Sequence, residues 1–305
     1  MWRDGLPCTG HRVSGAAVVG DAPWSAYHRR MTTPPKPLIG RDTRLCMSLS
    51  ARPSNFGTRF HNRLYELCGL DYVYKAFTTT DLPAAIGGIR ALGIRGCAIS
   101  MPFKEAVIPL LDRLEGSAAA IDSVNTIVND DGRLTGYNTD YSAVRTLVEQ
   151  AGIDPAARVM LRGSGGMGKA VATALRDAGL TDGVIVARNA ERGQALAASV
   201  GWRWAAEVAA ERADLLANVT PLGMEGADAD ALAFPAETIA AAGIVLDAVA
   251  LPPDTPLLRA ARAAGKTVIT GAAIGTLQAL EQFVLYTGVT PTPEQVAEAE
   301  RVARG

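Results

Sequence analysis

From about residue 37 onward, short apolar runs alternate with segments whose apolar residues recur every three or four positions. The runs at 72–77, 96–100, 123–128 and 134–137 predict strands. The last two flank Asp130-Asp131-Gly132, a turn suited to a hairpin. Helical spacing places Phe60, Leu64, Leu67 and Cys68 on one face of a helix ending at Gly69, and predicts further helices over 81–92 and 104–111. A hairpin inside such a unit makes its sheet mixed. After a helix over 141–152, strands predicted at 159–161, 184–186, 215–219, 244–248 and 267–269 alternate with helices, the pattern of a doubly wound parallel sheet. Helices at about 273–286 and 293–302 close the chain. The expected fold class is therefore α/β in two domains, a mixed-sheet unit over 37–140 and a doubly wound unit over 141–275. Residues 1–36 lack periodicity and are expected to be a disordered extension, with Met31 as an alternative start.

One loop gives the second unit a chemistry. Gly163, Ser164, Gly165, Gly166, Met167 and Gly168 follow a strand and open a helix, and the glycines at 163, 165 and 168 fit the dinucleotide fingerprint G-x-G-x-x-G. Glycine permits a tight turn and close backbone approach, while a helix N-terminus presents free N–H groups to phosphate. Lys169 nearly completes a nucleotide P-loop, but Ala170 lacks the hydroxyl that would hold magnesium. Where an NAD site carries an acid after the second strand, this chain has Arg188, with Arg192 four residues on. A guanidinium suits the 2′-phosphate of NADP(H), so NADP(H) is the expected cofactor in a Rossmann domain.

The bulk properties narrow the partners. A net charge of −1 with interspersed acids and bases gives no footprint for nucleic acid, and no apolar run approaches a membrane span. Four scattered cysteines and three histidines lack metal-ligand or disulfide spacing, so no metal is expected and a reducing cytoplasm suits the thiols. Polar groups gather elsewhere: Ser48 and Ser50 on one side of an extended chain, Ser100 and Lys104 across a strand-to-helix junction, Asn125 in an apolar strand, and Asn138-Thr139-Asp140 after the next. Lys104 falls in a helix's first turn, where the dipole disfavours a cation, and Asp140 is placed to cap the helix that follows. Hydroxyls, amides, one cation and one carboxylate suit a small polyhydroxylated acid whose carbonyl is reduced by hydride.

The stretches Met101-Pro102-Phe103-Lys104-Glu105, Val124-Asn125-Thr126, Tyr137-Asn138-Thr139-Asp140, Asn218-Val219-Thr220-Pro221-Leu222-Gly223-Met224 and Gln278-Ala279 occur in order with the glycine loop. Together they resemble the shikimate dehydrogenase family over essentially the whole chain from about residue 37. The resemblance implies NADP-dependent, reversible reduction of 3-dehydroshikimate to shikimate, a step of the shikimate pathway towards aromatic amino acids. It implies Lys104 and Asp140 as the catalytic pair, with Ser48, Ser50, Ser100, Asn125 and Gln278 on the substrate. Asn218, Thr220 and Met224 are implied in the cofactor cleft, and Gln278 implies that residues 276–305 return to complete the first domain. The expected partner is a shikimate-like ring acid, and the expected assembly a monomer or homodimer in the cytoplasm.

Departures from the family pattern fall on the substrate side. Met47 and Ala51 replace a His and a Pro, Ala98 replaces an Asn two positions before Ser100, and Ala250 replaces a Tyr after the strand containing Asp247. Arg52-Pro53-Ser54 is also new. This pattern is most similar to the shikimate dehydrogenase-like branch, and implies inefficient shikimate oxidation with quinate or another cyclitol acid as alternative substrate. A non-catalytic NADPH-binding regulatory protein is the rival class, although it would need neither Lys104 nor Asp140.

Overall fold

The computed structural model of the chain describes residues 35–208 and 212–305. The expectations for residues 1–34, including Met31 as a start, lie outside the described residues. Regular structure begins at β1 (Arg44–Leu49), later than the predicted onset near residue 37, and Leu38 is 95% exposed.

The first sheet contains β1, β2 (Tyr72–Phe77), β3 (Gly96–Ile99), β4 (Arg113–Leu114), β5 (Thr126–Asp130) and β6 (Arg133–Tyr137), in the order β2-β1-β3-β5-β6-β4. Its first three strands are parallel, while β5 runs antiparallel to both β3 and β6. The β5–β6 turn takes Asp131 and Gly132 to φ 50° and 90°, the left-handed conformations that a two-residue hairpin loop demands. Helices α1 (Phe56–Leu67), α2 (Leu82–Ala91), α3 (Phe103–Ala106) and α4 (Gly116–Ile121) belong to this half. The helix predicted over 104–111 splits into α3 and a 3₁₀ turn, Ile108–Leu110, because Pro109 has no N–H for the helical ladder.

Helix α5 (Thr139–Gln150) leads into the second sheet: β7 (Val159–Arg162), β8 (Gly183–Val186), β9 (Arg203–Ala205), β10 (Leu215–Asn218), β11 (Ile244–Asp247) and β12 (Thr267–Thr270). All its pairings are parallel, in the order β12-β11-β10-β7-β8-β9, which is the doubly wound Rossmann arrangement. Both faces are covered, one by α5, α6 (Gly166–Asp177) and α7 (Ala190–Val200), the other by α8 (Ala236–Ala241) and α9 (Pro256–Ala263). Burial on both faces explains why these strands read as continuous apolar runs.

Two helices close the chain, α10 (Gly271–Thr287) and α11 (Pro293–Arg304). They leave the second sheet and pack on the first: Phe283, Tyr286 and Ala299 join Phe60, Tyr65 and Tyr74 in one fully buried cluster. His61 lies inside it, stacked on Tyr74 with ring centroids 4.4 Å apart, and burial lowers its pKa to about 3. That imidazole is a neutral core ring. Side-chain caps start α2, α5, α7, α9, α10 and α11, from Asp81, Asn138, Asn189, Thr255, Thr270 and Thr292, so these boundaries are set locally.

Candidate active site

The glycine turn lies at the carboxyl end of β7, beside β10, where the strand order of the second sheet reverses; ligands of open α/β sheets bind at that point. Gly163 has φ 124°, and a Cβ there would meet Val219 at 2.8 Å. A Cβ on Gly168 would meet the Gly163 carbonyl oxygen at 2.9 Å. The absence of a side chain at Gly168 therefore lets α6 seat closely on the turn. Gly165 and Gly166 open the twelve-residue α6, whose free N–H groups face the cleft.

Two adjoining hollows meet here. One is lined by Ser48, Ser50, Ser100, Asn125 and Gln278; the other by Gly165, Gly166, Thr220 and Met224. Ser100, Lys104, Met167, Ala248 and Ala250 line both. Lys104 Nζ donates to Asp140 Oδ2 at 2.5 Å, with the side chains only 13% and 7% exposed. Removing either partner of an ion pair so shielded from water would leave the other charge uncompensated. The carboxylate gains from its place in the first turn of α5, where the dipole favours an anion. Asp140 does not cap that helix, as its sequence position suggested. Asn138 takes the cap instead, its side chain accepting from Tyr141 N at 3.1 Å, which frees Asp140 for the lysine. The one-turn α3 has too short a dipole to act on Lys104, so the carboxylate is its chief electrostatic partner.

Asn125 stands just ahead of β5 rather than inside it, and is 2% exposed. Its Nδ2 donates to Thr139 Oγ1 at 3.0 Å and to Gln278 Oε1 at 3.4 Å, while its Oδ1 accepts from Thr139 N at 2.8 Å. Gln282, one turn beyond Gln278 on α10, donates to Thr126 Oγ1 and to Gln278 Oε1, each at 3.0 Å. This satisfied network ties the first sheet, α5 and α10 together around the hollow. The sequence reading missed Gln282 and gave Thr139 no role of its own. The i, i+4 spacing of two glutamines in a mostly apolar helix was the available signal.

Glu281 on α10 was also missed. Burial pushes its carboxyl up to about 6; the Ser142 hydroxyl opposes this by donating at 3.2 Å, and Asp140 adds to it. Because the folded-state pKa lies above the unfolded value, the stability it contributes is present below pH ~4.5 and lost as pH rises through ~6. Glu281→Gln should therefore stabilise the protein by about 1–2 kcal/mol more at pH 8 than at pH 5. Melting curves at both values check this, and equal shifts would count against it.

On the nucleotide side, Arg188 is exposed just past β8. Arg192 does not stand free beside it: its guanidinium pairs with Glu105 Oε2 at 2.7 Å, while Lys169 approaches Glu105 Oε1 at 3.3 Å. Glu105, from α3, thus reaches across to two cations of α6 and α7. Asn218, expected in the cofactor cleft, is fully buried. Its amide donates to Asp247 at 3.0 Å and to the Leu222 carbonyl at 3.2 Å, and accepts from Thr220 Oγ1 at 2.6 Å, so it shapes the loop that presents Thr220 and Met224. Among the described residues no group of three potential metal ligands occurs, and no helix is long and apolar enough to cross a membrane.

Comparison with known proteins gives concordant matches. Residues 55–127 match the family described as the shikimate dehydrogenase substrate binding domain. A "Shikimate dehydrogenase-like protein" of Haemophilus influenzae is 53% identical over 268 residues, covering 88% of this chain and 99% of the relative. Among solved structures, the Thermus thermophilus shikimate 5-dehydrogenase in complex with NADP(H) and shikimate superposes with TM-score 0.77 at 34% identity, covering 85% of this chain and 99% of the other. The quinate dehydrogenase from Corynebacterium glutamicum in complex with NAD gives TM-score 0.75 at 28% identity, over 85% of this chain and 98% of the other.

Proposed function

The chain belongs to the shikimate dehydrogenase family, and from that premise we propose that it oxidises a ring hydroxyl of shikimate, or of a related cyclic hydroxy acid, reversibly with NADP(H). The observation that carries this reading is the buried Lys104–Asp140 pair where the two hollows meet. The glycine turn, the N-terminus of α6, the exposed Arg188, and Thr220 and Met224 suit a phosphorylated dinucleotide. When bound, the nicotinamide supplies or accepts the hydride. The first domain, 37–140 completed by 276–305, then holds the ring acid, and 141–275 holds the cofactor.

In the reductive direction, Lys104 Nζ gives a proton to the substrate oxygen as the carbonyl becomes an alcohol, and in the oxidative direction the same nitrogen takes it back. Its positive charge stabilises the alkoxide that develops between the two. Asp140 holds the ammonium in place and accepts from the reacting hydroxyl. Asn125 and Gln278, positioned by their shared network, hydrogen-bond the ring hydroxyls, and Ser48, Ser50 and Ser100 line the end that takes the carboxylate.

Ala98 and Ala250 line the first hollow, where the family pattern has an amide and a phenol. Each hydrogen bond left unmade costs roughly 1–3 kcal/mol, so shikimate oxidation should be detectable but inefficient. Quinate or another cyclitol acid is the second reading, favoured by the likeness to the quinate dehydrogenase. Incubation with NADP and a panel of hydroxylated ring acids, following reduced-cofactor absorbance, tests both. Silence across the panel would favour an NADPH-binding regulator. Replacing Arg188 by aspartate should cut the preference for NADP over NAD by about 10–100-fold, as a charge-assisted contact is exchanged for a repulsive one. Kd values for the two cofactors check this, and an unchanged ratio would refute the role of Arg188.

A further inference from the structure

Arg162 is the last residue of β7 and follows three buried apolar positions, Val159, Met160 and Leu161. A cation in that column needs a reason. Its register partner on β8 is Val186, two positions before Arg188. Met160, Val184 and Val186 lie in one core cluster, on the sheet face covered by α8 and α9. Side chains alternate along a strand, so Arg162 continues the column of Met160, and Arg188 that of Val184 and Val186. Arg188, two residues past the register partner of Arg162, is near enough at the carboxyl edge of the sheet for its charge to act on Arg162. Burial holds Arg162 below the usual arginine range, and the Arg188 charge pushes the same way.

Nothing acidic answers them among the described residues. Arg162 donates to the backbone carbonyl of Ala233, and Arg188 makes no hydrogen bond or ion pair. Arg192, the other cation nearby in sequence, is engaged with Glu105. Two like charges brought together at a strand end, one of them half-buried, oppose folding unless an anion joins them. A guanidinium has five donors, and the Ala233 bond orients the fork while leaving others free.

We propose that Arg162 and Arg188 together form the seat of the cofactor's 2′-phosphate, and that Arg162 is a determinant of NADP over NAD. The inference rests on the NADP(H) reading above, and can fail independently of it. The test is calorimetric titration of the full-length protein with 2′,5′-ADP and with 5′-AMP, which differ by the phosphate in question. Arg162→Gln keeps a donor for the Ala233 carbonyl but loses the charge. It should weaken 2′,5′-ADP by about 10–100-fold and alter 5′-AMP by less than about threefold. Arg162→Lys keeps the charge without the fork and should lose only about 3–10-fold. Wild-type protein that fails to prefer 2′,5′-ADP would overturn the NADP(H) reading. Wild-type preference that survives in both variants, or equal loss of both nucleotides, would overturn the role of Arg162 alone.

Discussion

Replacing Lys104 by alanine should lower turnover by roughly 10²–10⁴-fold, the range that a positioned proton donor contributes. The change removes the cation proposed to face the substrate oxygen and leaves Asp140 buried without its partner. NADPH affinity should change far less than turnover: Lys104 borders the cofactor hollow, but the groups read as holding its phosphates, the glycine turn and Arg188, stay in place. Steady-state kinetics on whichever ring acid proves active, with fluorescence titration of NADPH, separates the effects. Asp140→Asn gives the complementary result: the lysine stays but is no longer held by a charge, so turnover falls while binding of the ring acid is less affected. Full activity in the lysine variant would remove Lys104 from the mechanism.

The second large effect concerns stability. Asp247 ends β11 with no exposure to solvent, and burial raises the pKa of its carboxyl. It accepts from Asn218 Nδ2 at 3.0 Å, Val249 N at 3.1 Å and Thr255 Oγ1 at 2.6 Å. Thr255 in turn caps α9, and Asn218 holds the Thr220 loop. Asp247→Ala orphans three buried donors, each costing about 1–3 kcal/mol, so a loss of roughly 3–5 kcal/mol and a Tm drop on the order of 10 °C are expected. Thermal unfolding followed by circular dichroism measures it. A shift below about 2 °C would mean that the loops rearrange to satisfy those donors.

Most of the second sheet was legible because its strands are buried on both faces and end at turn residues. Its edge strand β9 was not: three residues paired on one side leave no periodicity to read. Strand β4, of two residues, escaped for the same reason. In the site, Lys104, Asp140, Asn125 and Gln278 were found as motif positions, yet their local settings differed. Whether Asn138 or Asp140 caps α5 depends on backbone angles that a run of three capping-competent residues does not disclose; Asn138 alone has the extended conformation a cap requires. The Glu105 contacts were invisible because they join residues far apart in the chain. Arg162 was not singled out, since its significance comes from the strand beside it.

The return of α10 and α11 to the first sheet bears on how the chain is made. A ribosome releases β1 to β6 long before Phe283 and Tyr286, so Phe60, Tyr65 and Tyr74 must wait, uncovered, for the last residues to emerge. The doubly wound sheet, whose strands are contiguous in sequence, can close meanwhile. The nascent protein is therefore expected to fold its later half first and to expose an aromatic surface during elongation, a window in which chaperone capture or aggregation competes with completion. Protease digestion of a released chain truncated after residue 270 should cut the first half readily and spare the second; equal resistance of the two would argue against that order.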